Sequence, residues 1–262
     1  AMETTIFYFS ATENSLHVAK SLAGKLDQST LVSMPTLRYV EATMAVTERV
    51  GFVFPTHYFG LPPIVSAFIN KIDMSNVQYS FAVVTSGSSR HLSSALHQVE
   101  VILEKKGRKL DAGFHVEMIS SYISLSDIPP TAKVSQKLSQ ADRALEKIAS
   151  EILAQKSVHE TEHFWGPFNA INKYWKNKQL SQAHRKFSYT DTCVSCGNCE
   201  KICPVNNIRL QNGNPEWQDD CQECLACLHF CPVKSIEFGK RTAGRKRYHH
   251  PKVSAGDIMH SK

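Results

Sequence analysis

Eight cysteines, all between residues 193 and 231, fall into two copies of one spacing and leave none over. Cys193, Cys196, Cys199 and Cys203 form C-x2-C-x2-C-x3-C with Pro204 next, and Cys221, Cys224, Cys227 and Cys231 repeat it before Pro232. Three thiolates on one short turn can occupy three corners of an iron–sulfur cube, but chain geometry carries the fourth away. In chains with two such runs it crosses to the other cube. The spacing therefore predicts two [4Fe-4S] clusters and an electron-carrying role. Cys193, Cys196, Cys199 and Cys231 would hold one, and Cys221, Cys224, Cys227 and Cys203 the other. The prolines fix φ and turn the chain away after each crossing ligand. Between the runs, Ile208-Arg209-Leu210 followed by Gln211-Asn212-Gly213-Asn214 reads as a strand entering an Asn-Gly hairpin, which places the two runs symmetrically.

Zinc and disulfides explain this pattern less well. Structural zinc usually takes two separated pairs of ligands, which leaves the third cysteine and the proline of each run without a role. Disulfides require an oxidising compartment, and no charged n-region followed by an apolar h-region opens the chain. No apolar run approaches the roughly 18 residues of a spanning helix. The expectation is a cytoplasmic protein without a membrane span.

The chain has 262 residues, so its first 190 or so must form a separate core without help from metal or disulfide. Residues 4–9 read as a buried strand, and a helix follows, capped by Asn14 or Ser15, with Leu16, Ala19, Leu22, Ala23 and Leu26 on one side. Strands are expected near Leu31-Val32, at Val50–Phe54, at Phe81–Thr85 and at Gly113–Ile119. Helices are expected after Pro62-Pro63, from Leu92 to Lys106, and from Thr131 to Gln155, where apolar residues recur in steps of four and three. This β-α-β alternation predicts an α/β fold, an open parallel sheet with helices on both faces. The aromatic and basic segment Ser157–Phe187 is too aromatic for a free linker and reads as a strap docking between domains. Nucleic-acid binding by its interleaved aromatics is the lesser alternative.

In such a sheet ligands bind beyond the carboxyl ends of the strands. Three loops leave in that direction. Ser10-Ala11-Thr12-Glu13-Asn14-Ser15 offers hydroxyls and amides at a helix N-terminus, suited to a phosphate. Pro55-Thr56-His57-Tyr58-Phe59-Gly60-Leu61 offers an aromatic surface, in which Tyr58 and Phe59 are candidate walls for a flat ring and His57 is either a contact for that ring or a solvated side chain. Thr85-Ser86-Gly87-Ser88-Ser89-Arg90-His91 is rich in small residues.

On these loops and the doubled cysteine runs, the N-terminal part resembles a flavodoxin. The whole chain resembles the flavodoxin–ferredoxin fusion proteins of anaerobic bacteria and archaea, down to Arg247-Tyr248-His249-His250-Pro251 near the end. The resemblance implies a sheet of order 2-1-3-4-5 followed by a small α+β two-cluster ferredoxin domain. It also implies FMN, with its phosphate in the first loop and its ring between the second and third. The implied parts are an FMN domain at 1–157, a connecting segment at 158–187, the ferredoxin-like domain at 188–240 and a basic tail at 241–262. One position departs from the resemblance. Glu13 stands where a glycine is usual in the phosphate loop, and a carboxylate beside a phosphate is repulsive unless it points to solvent.

The formal charge is +6. Two clusters and a flavin phosphate, each near −2, bring it to about zero, so net charge does not argue for nucleic acid. The residues from Lys240 to Lys262 carry seven Lys or Arg against Asp257 alone. They read either as a solvated tail or as a dock for an acidic partner or for the chain's own cluster domain. The expected role is electron transfer between FMN and the clusters, linking two-electron and one-electron partners, with an unidentified redox protein as partner. The alternatives are an FMN-dependent reductase of a quinone, nitro compound or corrinoid, with His57 as the titratable candidate acid, and a ferredoxin on an FMN-free scaffold that Glu13 would explain.

Overall fold

The computed structural model describes residues 2–40, 47–88 and 92–259. Six parallel strands form its main sheet: β1 (Thr4–Tyr8), β2 (Ser29–Ser33), β3 (Arg49–Pro55), β4 (Tyr79–Ser86), β5 (Ala112–Glu117) and β6 (Val158–His159). Their order is β2-β1-β3-β4-β5-β6, a flavodoxin-like 2-1-3-4-5 sheet with one strand added at the edge. Ile6, Phe7, Phe52, Val53, Phe81, Ala82 and Val83 are fully buried because helices cover both faces, which is why these central strands carry almost no polar alternation. The covering helices are α1 (Asn14–Ala23), α2 (Pro63–Lys71), α3 (Ala95–Lys105) and α4 (Thr131–Leu153). α1 packs with α4, and α2 with α3. The chain turns in opposite directions on leaving β1 for β2 and on returning through β3, so the crevice between the loops after β1 and β3 opens at the carboxyl end of the sheet.

Two expectations are corrected. α3 begins at Ala95 rather than Leu92. β6 has no counterpart in the sequence reading, because a two-residue strand paired only to β5 through Ala112–Val158 and Gly113–His159 is too short to show a period.

The segment after β6 runs through α5 (Trp165–Tyr174), a π-turn at Trp175–Gln179 and a 3-10 stretch at Leu180–Lys186 into β7 (Phe187–Tyr189). A small α+β region follows: α6 (Asn198–Ile202), β8 (Ile208–Gln211), β9 (Asn214–Trp217), α7 (Ala226–His229) and β10 (Ile236–Phe238), which pairs antiparallel with β7. The β8–β9 hairpin turns on Asn212 at φ 50° and Gly213 at φ 82°, the two positive values that an Asn-Gly turn supplies at low cost. A short helix, α8 (Ala255–Met259), follows the basic segment. No helix among the described residues is long and apolar enough to cross a membrane.

Candidate functional site

The first loop is shaped by Glu13, which stands before α1 at φ 71°, a conformation glycine adopts most readily. No side chain caps α1 and its first turn holds no acid, so the amides of that turn face outward without an intrahelical partner. Asn14 and Ser15 are not caps. Asn14 Nδ2 donates to the Ile119 carbonyl at 2.8 Å, and Ser15 Oγ pairs with Thr85 Oγ1 at 2.8 Å, so both brace the loop to the ends of neighbouring strands. Ser10 Oγ is buried with no hydrogen-bond partner. An orphan hydroxyl beside free helix amides is the donor set an anion such as phosphate uses.

Glu13 does not point to solvent. Its side chain is 0% exposed, with His249 Nδ1 3.8 Å away. Burial, helped by Asp257 and opposed by Lys20, raises the carboxyl to about 8.

The second loop is a tight turn closed by His57 N to Gly60 O at 2.9 Å and Gly60 N to His57 O at 3.0 Å. Its corners, Tyr58 at φ 45° and Phe59 at φ 63°, are both left-handed. The 158–187 segment supplies the support. Trp175, fully buried, stacks on Tyr58 at 4.7 Å, and Phe168 stacks on Phe59 at 4.4 Å. Asn172 Nδ2 donates to His57 O at 2.7 Å, and a Cβ on Gly60 would come within 2.5 Å of that amide, so only glycine admits the close approach. His57 is not solvated: its ring lies 5.9 Å from Phe9 and 6.1 Å from Trp175, and desolvation lowers its pKa to about 4. A histidine that is neutral at pH 7 is a poor general acid.

These loops enclose a cavity of about 400 Å³, within the size range of small-ligand sites. Ser10, Ala11, Thr12, Asn14, Ser15, Pro55, Thr56, His57, Tyr58, Phe59, Thr85, Ser86 and Gly87 line it, together with Ser88. Glu13 and Gly60 do not. Ser89, Arg90 and His91 lie outside the described residues. The sequence reading missed two walls. One is the loop after β5, with Met118, Ile119, Ser120, Ser121, Tyr122 and Leu125, which leaves the same end of the sheet as the other three. The other is Glu223, Cys224 and Leu225 from the second cysteine run.

Glu223 joins these walls. Its buried carboxylate accepts from Tyr58 Oη at 2.8 Å, from Tyr122 Oη, and from Trp175 Nε1 at 3.2 Å, with Lys186 Nζ 3.8 Å away. Burial and this carboxylate raise the Tyr122 phenol well above its ordinary range.

The cysteine runs share a backbone pattern that their side chains do not announce. Ser195 and Glu223, two residues after the first cysteine of each run, are both left-handed, as are Gly197 and Leu225, four residues after it. Asn206 and Lys234, three residues after the last cysteine of each run, are left-handed as well. The turns bring amides onto sulfur: Asn207 N donates to Cys203 Sγ and Ser235 N to Cys231 Sγ, each at 3.2 Å, and Glu223 N to Cys221 Sγ at 3.4 Å. Cys203, Cys221, Cys224 and Cys227 line one small cavity, with Trp217 and Phe187 beside them. Cys199 lies near Cys196 and Cys193. Burial, with neighbouring thiols adding to it, pushes Cys199 up to about 11 and Cys221 up to about 12, and holds Cys224 and Cys227 well above the ordinary thiol range. A cationic iron core is the group that would let such thiols ionise.

The basic segment is not a solvated tail. Arg247 pairs with Glu237 at 2.9 Å, Arg245 with Asp127 at 3.3 Å and Lys252 with Asp142 at 2.7 Å, so three of its cations are held by the chain itself.

Residues 171–236 match the family of 4Fe-4S dicluster domains. None of the curated proteins compared matches the chain. Among solved structures, a putative flavoprotein from Bacteroides uniformis is similar at 18% identity over 45% of this chain and 91% of that one, with a TM-score of 0.37. Rubredoxin oxygen:oxidoreductase from the anaerobe Desulfovibrio gigas is similar at 18% identity over 58% of this chain and 36% of that one, at 0.37. An FMN-dependent NADH-azoreductase from Bacillus anthracis, solved with FMN, is similar at 10% identity over 56% of this chain and 99% of that one, at 0.36.

Proposed function

We propose that the chain is an electron carrier of the flavodoxin–ferredoxin fusion type, moving electrons between FMN in the four-loop cavity and two [4Fe-4S] clusters in the cysteine-rich region. The observation that carries this reading is that Cys224 lines the same cavity as Ser10, Thr12 and the aromatic turn. A ligand in that cavity would lie against a cluster-binding residue, with no intervening layer of protein.

FMN supplies a centre that takes up two electrons and releases them singly, whereas each cluster handles one. The protein's part is to bind and to shield. The amides before and within the first turn of α1, with Ser10 Oγ, would hold the phosphate. Tyr58 and Tyr122, fixed through Glu223, form rigid walls for the ring, and neutral His57 adds no charge beside it. Cys203, Cys221, Cys224 and Cys227 would hold the nearer cluster, and Cys193, Cys196, Cys199 and Cys231 the other, with amide-to-sulfur bonds tuning their potentials.

The FMN-free scaffold reading loses its main support, because the Glu13 carboxylate is outside the cavity. The reductase reading loses His57 as its acid, because desolvation keeps the ring neutral at pH 7.

The test is to release and count flavin, iron and sulfide from protein purified without oxygen. About one FMN and two clusters per chain are expected. Absence of flavin, even after incubation with excess FMN, would overturn the three-centre reading.

A further inference from the structure

Residues 247–250 connect parts of the molecule that lie far apart in the chain. Arg247 anchors the segment to the cysteine-rich region through Thr242 O at 3.0 Å, Ile236 O at 2.9 Å and the Glu237 carboxylate. Tyr248 N donates to His229 Nδ1 at 3.1 Å, which leaves His229 Nε2 to donate to Ser121 O at 2.7 Å, in the loop after β5. Three contacts then reach the first loop from behind. Tyr248 Oη donates to Asn14 Oδ1 at 2.8 Å, His250 N donates to Thr12 O at 3.2 Å, and His249 lies against Glu13. The His250 ring is buried and stacked on His17 at 4.0 Å, and that of His249 is stacked on Phe230 at 5.3 Å.

Three successive loop residues, Thr12, Glu13 and Asn14, are thus each met by one residue of the tail. The loop has reason to need them. Glu13 holds a left-handed conformation unfavourable for a residue with a side chain, and its carboxyl is buried with no hydrogen-bond partner. Asn14 is the pivot: it accepts from Tyr248 and passes the constraint on by donating to Ile119 in another wall of the cavity. A turn of this kind relaxes unless its surroundings fix it, and fixing donors before the ligand arrives is how a site gains affinity without new contacts.

We infer that Tyr248, His249 and His250 are positioning residues for the phosphate loop, so that the chain's preference for a flavin bearing a phosphate over one without it depends on its C-terminal segment. The inference rests on the flavin reading of the cavity.

The test compares FMN with riboflavin, which has the same ring and no phosphate. Dissociation constants are measured by flavin fluorescence on the full, cluster-loaded chain, wild type and Tyr248→Phe, a change that removes one hydroxyl and keeps the ring. FMN should weaken about fivefold to tenfold, as expected for one lost hydrogen bond, with riboflavin unchanged. Amide hydrogen exchange at residues 12–16 should also quicken in the variant. An unchanged FMN constant, or equal losses for both flavins, would overturn the inference while leaving FMN binding intact. Failure of the wild-type chain to bind FMN at all would overturn the flavin reading, and the inference with it.

Discussion

The Tyr58 hydroxyl donates to the Glu223 carboxylate at 2.8 Å, across 165 positions of sequence. Tyr58 belongs to the aromatic turn after β3, and Glu223 lies between two cysteines of the second run, so one buried carboxylate ties the aromatic wall of the cavity to the second cysteine run. Removing it as Glu223→Ala leaves the Trp175 indole N–H without its acceptor, and only one of the Tyr58 and Tyr122 hydroxyls, which lie 2.6 Å apart, can donate to the other. The expected cost is on the order of 3 kcal/mol, with a smaller loss for Glu223→Gln, which keeps an acceptor oxygen. Chemical denaturation without oxygen measures both. Equal midpoints for the two variants would mean that the hydroxyls find other partners.

Cys203 lines one cavity with Cys221, Cys224 and Cys227, and no other cysteine of its own run lines it. Cys203→Ala should therefore disrupt the cluster associated with Cys221 and spare the one associated with Cys193. Iron content combined with electron paramagnetic resonance of the reduced protein separates the two. Selective loss of the Cys193 cluster would reverse the assignment.

The buried Glu13 carboxyl makes stability depend on alkali. Its folded pKa, about 8, lies above the ordinary 4.5, so the unfolded chain gives up this proton first. The protonated state's contribution is complete below about 4.5, declines as pH rises and is gone above about 8. Burial sets where the decline falls, with Asp257 from α8 adding to it and Lys20 from α1 opposing it, while Tyr248 and His249 from the tail also face the group. Glu13→Gln should flatten the thermal melting temperature over this window. An unchanged slope would show that Glu13 is ionised throughout.

Acid acts through a different residue. His250, buried against His17, has its pKa lowered from 6.5 to about 3, chiefly by desolvation. The contribution of the neutral ring is present above 6.5 and is lost as pH falls through the window down to about 3. His250→Phe can keep the stack and the backbone bond to Thr12 without the titration, losing at every pH the acceptor that His250 Nδ1 offers Lys252 N. Its melting temperature should fall less than that of wild type between pH 6.5 and 4, and an identical fall would assign the acid sensitivity elsewhere.

Much of this was legible in residue spacing. The central strands show as short unbroken apolar runs, the stripe along α4 as a helical period, and the β8–β9 turn is written in Asn212-Gly213. The loop after β1 was readable as a helix N-terminus following a strand. What escaped has no local period. Left-handed backbone at Ser195, Glu223 and Leu225 is set by the demands of the cysteine sites, not by those residues' own preferences. Glu223 reads as one more surface acid until the fold brings Tyr58, Tyr122 and Trp175 to it. The orientation of Glu13 depended on a pocket built by His249 and α8, far along the chain. The loop after β5 could have been found by asking what leaves every strand at the carboxyl end, since Ser120, Ser121 and Tyr122 follow β5 as directly as Ser10 follows β1.

The bond from Tyr248 to Asn14 spans 234 positions. During synthesis, strands and helices of the main sheet can pair as they emerge, but the loop at Thr12–Asn14 receives its bracing from residues 248–250 only after the cysteine-rich region has emerged. The four-loop cavity and the cysteine-rich region therefore mature together: the ribosome delivers the tail's support for the first only after it has delivered all eight cysteines of the second.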